Sequence, residues 1–350
     1  MFGNRLSAAV RLGLTVIAFT SLCGSTRPPT LAAAETPANP APSFAPISAE
    51  STLTPPARPD EPRVPERFRL GTDPFPVRTR VLYDHARIRK HDVTFPSPVV
   101  TTSVPNNTVH AEYFQPAGPG PYPAVIVLHI LGGDFPLSRT VANYLAQNGV
   151  AALFVKMPYY GPRRDPNSPR RMISKTPPET VEGMTQAVLD IRRAADFLAS
   201  RPEVNAERLG ITGISLGGIM SALAGSIDAR FARVGIVLGG GKLGDAVWDL
   251  DHREAREFRE QWLASGKTRA EFVQMIEQVD PATYGHRLKD RRVLMIEAAH
   301  DEVIPPENAR ALHAAIGDHA RLIWLDSGHY TAIWYLPREI VRLERFFNAR

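Results

Sequence analysis

Ser215 sits at the centre of Gly-Ile-Ser-Leu-Gly, residues 213–217, with a further glycine at 218. A serine hydroxyl is a poor nucleophile until a base takes its proton. Glycine on either side removes the bulk that would keep a serine off a very tight turn. Such a serine needs an imidazole as base and a carboxylate to orient it. Asp301, in Glu-Ala-Ala-His-Asp-Glu-Val-Ile-Pro, is the candidate carboxylate, with Glu297 and Glu302 as alternatives. Of the ten histidines, His329 in Leu-Asp-Ser-Gly-His-Tyr is the candidate base, and His300 beside the acid is its rival.

Attack on a carbonyl also needs donors for the oxygen that becomes negative. The backbone N–H of Leu216, at the start of the helix after the serine, suits one position. The second belongs to the loop Leu-His-Ile-Leu-Gly-Gly-Asp (128–134), where Ile130 or Leu131 donates; the choice between them stays open. His129 reads as a structural residue. The stretch Met157–Lys175 offers Tyr159 and Tyr160 as walls of a substrate pocket. Its Arg163, Arg164, Arg170 and Arg171 could hold an anionic group, the alternative being a solvated loop. Trp248 and Trp262 either contact an acyl group or sugar, or pack a helical cap. The sequence has no His-Glu-x-x-His, no dense calcium loop and no phosphate-cradling glycine loop, so no metal or cofactor is expected.

These side chains need a scaffold that brings them together. Continuous apolar runs at Pro123–Ile130, Val150–Met157, Arg208–Ile214, Arg233–Gly240, Arg291–Ala298 and Ala320–Asp326 read as strands buried on both faces. Helical patterns at Ser138–Gly149, Glu179–Ser200, Pro306–Gly317 and Pro337–Arg350 alternate with them. Two antiparallel strands, around His91–Phe95 and Thr108–Phe114, precede the alternation. Strand–helix alternation implies crossover connections and a mostly parallel central sheet with helices on both faces. The alternation stops at about residues 242–290, where charged helical stretches form a short cap insertion over the carboxyl ends of the strands. Ser215 falls at a strand-to-helix junction, Asp301 just past a strand, and His329 after the last strand.

With its Gly-Ile-Ser-Leu-Gly-Gly, His-Asp-Glu-Val-Ile-Pro, Ser-Gly-His and His-Ile-Leu-Gly-Gly segments, the chain resembles the α/β-hydrolase superfamily over roughly residues 111–350. The branch it most resembles is that of dienelactone hydrolases and acetyl esterases. The resemblance implies an α/β-hydrolase fold and acyl transfer without a cofactor. Two departures stand out. Dienelactone hydrolases carry Cys where Ser215 stands, which favours ester hydrolysis, and the oxyanion loop reads His-Ile rather than His-Gly.

Composition is that of a globular chain: 350 residues, 43% hydrophobic and 22% charged. A net charge of +5 without a basic stripe argues against nucleic-acid binding. Residues 1–34, with Arg5, Arg11, the apolar Leu12–Gly24 and small Ala32 and Ala34, read as a signal peptide; uncleaved, they would be a membrane anchor. Export to the periplasm or beyond follows. The single cysteine, Cys23, lies in that segment. Residues 35–76, rich in Pro, Ala, Ser and Thr, read as a disordered linker, and 77–350 as the hydrolase domain. The expected function is an exported serine hydrolase acting on small-molecule or carbohydrate-linked esters. The alternatives are a lactonase or peptidase on the same residues, or a binding domain that keeps the fold without activity.

Overall fold

The computed structural model describes residues 48–58, 60–133, 135–251 and 253–349. The expected signal peptide, the first part of the linker, Asp134 and His252 lie outside the described residues. Ten strands form one sheet: β1 (Ser48–Leu53), β2 (Phe75–Asp84), β3 (Ile88–Pro96), β4 (Thr108–Pro116), β5 (Tyr122–Leu128), β6 (Ala151–Lys156), β7 (Val204–Ile214), β8 (Phe231–Val237), β9 (Arg292–Ala298) and β10 (Arg321–Leu325). Their order is β1-β2-β3-β4-β6-β5-β7-β8-β9-β10. From β6 to β10 every pairing is parallel, while β1 to β4 form an antiparallel wing that joins β6.

The helices are α1 (Phe135–Gln147), α2 (Pro177–Ala199), α3 (Leu216–Ile227), α4 (Leu243–Asp249), α5 (Arg253–Ala264), α6 (Arg269–Glu277), α7 (Pro281–Tyr284), α8 (Pro306–Ile316) and α9 (Leu336–Asn348). Alternation along β5 assigns its residues to two cores. Ala124, Ile126 and Leu128 pack with Met184 and Val188 of α2, Leu223 of α3 and Leu312 of α8. Val125 and Val127 pack with Val141 and Leu145 of α1 and Leu343 and Phe347 of α9. The chain leaves β5 towards β6 on one side, then crosses to β7 on the other. The loops after β5 and β7 therefore diverge, opening the crevice where such sheets place their ligands.

The linker expectation departs from the structure beyond Ser48. Residues 48–76 carry β1, paired to β2, and two short helical turns. Val64, Phe68 and Leu70 are buried, and Arg58 and Glu61 make ion pairs with Asp196 and Arg192 on α2. Few apolar residues suffice here because partners more than a hundred positions away complete the packing, which composition cannot display.

The cap is helical, as α4 to α7 show, and Thr268 closes the start of α6 in a reciprocal capping box with Glu271. None of the helices among the described residues is long and apolar enough to cross a membrane.

Candidate active site

Ser215 occupies the turn between β7 and α3 at φ 57° and ψ −118°. That conformation is costly for a residue with a Cβ and holds only where neighbours fix it. The glycines explain how the turn closes. A Cβ on Gly213 would lie 2.5 Å from the backbone of Gly217, and one on Gly217 would lie 2.7 Å from Leu128 O. The Ser215 N–H donates to Val237 O at 2.9 Å, tying the turn to the end of β8.

His329 faces the serine, its Nε2 3.0 Å from Ser215 Oγ. Its Nδ1 lies 2.7 Å from Asp301 Oδ2, which assigns the ring proton to Nδ1 and leaves Nε2 free to accept from the hydroxyl. Asp301 also closes its own loop, Oδ1 accepting the N–H groups of Val303 and Ile304 at 2.8 and 2.7 Å. The carboxylate is therefore both a turn former and the imidazole's partner. His329 and Asp301 are nearly shielded from solvent, so their contact operates at reduced dielectric.

The alternatives take other places. His300 is exposed and contacts Asp326 at 3.0 Å. Glu302 Oε2 accepts the backbone N–H of His329 at 2.9 Å, supporting the histidine's loop rather than its ring. Glu297 is buried in β9 and bonds the Gly239 N–H at 2.9 Å.

Leu216 is the first residue of α3, so its N–H lacks an intrahelical acceptor and the helix end favours negative charge beside Ser215. Ile130 and Leu131 lie on the loop after β5, across the crevice. Ile130 O accepts the Gly133 N–H at 3.2 Å and lies 2.8 Å from His129 Nδ1. His129 Nε2 accepts the Met157 N–H at 3.0 Å, so its ring is neutral with the proton on Nδ1. Burial pushes His129 down to about 4, against the pull of the Ile130 carbonyl. It is a fully buried strut for this loop. Tyr160 packs edge-on against His129, with ring centroids 4.5 Å apart. Burial pushes the Tyr160 hydroxyl up to about 12, while a hydrogen bond from the Gly132 backbone and the charge of Arg171 act the other way. Tyr160 thus packs against this loop.

Two of the proposed substrate contacts are corrected. Arg163 is fully buried, donating to Lys156 O at 3.1 Å and Asn106 O at 2.8 Å, with an ion pair to Asp190 at 2.7 Å. It closes the loop instead of meeting a ligand. Trp248 is buried among Phe258 and Phe272 and packs the cap, and Trp262 joins the same cluster. Arg170 is engaged by Glu179 and Glu182 and stacks on the Tyr159 ring, while Arg164 is exposed. Tyr159, at φ 64°, lines a cavity of 1190 Å³ with Arg171, Lys175 and Ser103. Neither Ser215 nor His329 lines that cavity, so it is separate from the surroundings of Ser215. Asn106 was missed by sequence reading. Its Oδ1 accepts the Tyr159 N–H at 2.9 Å, and a turn-prone Pro-Asn-Asn gives no sign of so distant a partner. Among the described residues, no three His, Cys, Asp or Glu side chains gather as metal ligands would.

Two family models match the chain. "Alpha/beta hydrolase domain containing 18" matches residues 67–238, and the prolyl oligopeptidase family matches residues 184–332. A curated protein from Bradyrhizobium sp, described as a probable 2-oxo-3-(5-oxofuran-2-ylidene)propanoate lactonase, is 30% identical over 121 residues. That match takes in 35% of this chain and 48% of the relative, so the chain spans about half that relative's length. Acetyl xylan esterase 1 from Thermoanaerobacterium sp. JW/SL YS485 superposes with a TM-score of 0.62 at 19% identity, covering 84% of this chain and 96% of its own. The acetyl xylan esterase from Paenibacillus sp. R4 gives 0.61 at 22% identity, covering 76% and 88%. At these identities the two structures speak to the fold.

Proposed function

We propose that this chain, an α/β-hydrolase, is an exported serine esterase that cleaves small-molecule or carbohydrate-linked carboxylic esters. The observation that carries the reading is the relay from Ser215 Oγ to His329 at 3.0 Å and from His329 to Asp301 at 2.7 Å. In the proposed course, His329 Nε2 takes the hydroxyl proton as Ser215 Oγ bonds to the carbonyl carbon. The carbonyl electron pair moves onto oxygen, facing the N–H of Leu216 and of Ile130 or Leu131. The carbon–oxygen bond to the alcohol then breaks, and His329 gives the proton to the leaving oxygen. Water, deprotonated by His329, then attacks the acyl carbon; the carbon–Oγ bond to Ser215 breaks, the imidazolium returns its proton to Oγ, and the acid leaves. Asp301 keeps the ring in the required tautomer and offsets its positive charge.

The names of the relatives support ester and lactone chemistry. One observation favours a peptidase as the second reading: the prolyl oligopeptidase model spans Ser215, Asp301 and His329 together. Acyl esters of graded length, a five-membered enol lactone and proline-containing peptides, tested side by side, separate the readings. Ester turnover that falls at least about a thousandfold in Ser215→Ala is expected. Turnover of peptides alone would refute the esterase. Export is argued from Arg5, Arg11 and the apolar Leu12–Gly24, and N-terminal sequencing of protein recovered outside the cytoplasm tests it.

A further inference from the structure

Glu297 lies on β9 four residues before Asp301, with its side chain buried. Its Oε2 accepts the Gly239 N–H at 2.9 Å, and its Oε1 is buried without a hydrogen-bond partner. Gly239 belongs to a constrained turn. The chain leaves β8 at Val237 and passes through Leu238 at φ 51°, whose N–H donates to Ile296 O at 2.9 Å. A leucine in the left-handed region is strained and persists only where its surroundings impose it. The same turn backs the nucleophile. Val237 O accepts the Ser215 N–H, and a Cβ on Gly218 would come within 2.5 Å of that oxygen. The Glu297 carboxyl therefore holds, from β9, the turn against which the Ser215 backbone rests.

We propose that Glu297 is a positioning residue for the Ser215 hydroxyl: by anchoring Gly239 it fixes the Val237 carbonyl that sets the backbone of the nucleophile. This assignment rests on Ser215 being the nucleophile. The surroundings of Glu297 favour its uncharged form. Burial pushes its carboxyl well above the usual carboxylate range; the Gly239 N–H pulls the other way, and the Asp301 charge adds to the rise. A carboxylate with one buried oxygen left unpartnered would carry a heavy desolvation cost, whereas a neutral acid carries far less. The neutral form also keeps a second negative charge away from Asp301, so the imidazolium formed at His329 has one partner and one orientation.

Three variants test the role. Glu297→Gln keeps an uncharged acceptor for Gly239, Glu297→Met fills the space without an acceptor, and Glu297→Asp is one methylene too short to reach. Wild-type turnover of p-nitrophenyl acetate and fluorophosphonate labelling of Ser215 are read first; their absence counts against the serine nucleophile and not against Glu297. With both present, Glu297→Gln keeps kcat within about twofold, while Glu297→Met loses about tenfold or more in kcat at unchanged KM, since misplacement of a nucleophile acts on the chemical step. Wild-type kcat in folded Glu297→Met, or a fall in Glu297→Gln as deep as in Glu297→Met, overturns the proposal. Should Glu297→Met not fold, Glu297→Asp takes its place: the same loss is expected, and wild-type kcat overturns.

Discussion

At the scale of single residues, Ser215 was legible because the tight turn it occupies imposes a local signature. The glycines at 213, 217 and 218 are there to admit the Leu128 and Val237 carbonyls and the turn itself, and only residues without a Cβ can do so. Asp301 and His329 were legible from their place after strands, and the structure sets both within hydrogen-bonding reach of their partners. Arg163 was misread, and Trp248 was left between ligand contact and cap packing, for a common reason. A guanidinium or indole on a functional rim looks the same in sequence whether it faces a ligand or its own interior, and burial by distant residues decides. Arg163 supplies a residue-scale prediction. Asp190 is fully buried; burial raises its carboxyl, with Arg163 and the Ser97 hydroxyl opposing. Arg163→Met leaves that acid without its cation and is expected to destabilise the fold by about 3–5 kcal/mol, the usual effect of breaking a buried pair. Denaturant unfolding reads the loss, and KM for esters in the remaining folded enzyme stays unchanged. A raised KM at full stability would return Arg163 to the substrate.

Elements carry a different kind of information. The strands from β5 to β10 announced themselves as apolar runs, because a strand covered on both faces has no polar side to obscure it. The cap was visible as charged helical stretches where the strand–helix alternation stops, yet which of their faces packs inward was not, and Trp248 went with the hidden face. At the turn carrying Ser215, α3 lies close against the end of β8. Gly218→Ala tests that contact. Its Cβ would stand 2.5 Å from Val237 O, a backbone atom that cannot swing aside. The expected outcome is a folded or partly destabilised protein whose fluorophosphonate labelling slows by about tenfold or more, because the hydroxyl is displaced relative to His329. Unchanged labelling would mean that the helix start can shift without moving the nucleophile.

For the whole molecule, the order of the strands matters most. Reversal at β5 opens the crevice that receives the loops after β5 and β7, and the places of both oxyanion candidates and of the candidate nucleophile follow from it. The segment from Ser48 to Pro76 was not legible, since its order depends on ion pairs spanning more than a hundred residues. Arg58 meets Asp196 at 2.7 Å, Glu61 meets Arg192 at 2.5 Å, and Arg192 and Arg230 both reach Asp228, at 3.1 and 2.6 Å. Burial alone would raise the Asp228 carboxyl, but Arg230 and then Arg192 outweigh it and hold it down to about 2. Its folded value lies below its unfolded one, so its contribution is fully present above about pH 4 and is lost as pH falls through about 2. Thermal melts of wild type and Asp228→Asn across that window should show the wild-type advantage shrinking towards low pH. An advantage independent of pH would remove the charge from the account.

The central claim is that an ester's acyl group passes through the Ser215 oxygen. Acid-quenching the protein during turnover of p-nitrophenyl acetate, followed by peptide mass mapping, tests this most directly. The account predicts an acetyl group on Ser215 that disappears in Ser215→Ala together with turnover. Steady hydrolysis by Ser215→Ala, or an acetyl group mapped to another residue, would contradict it.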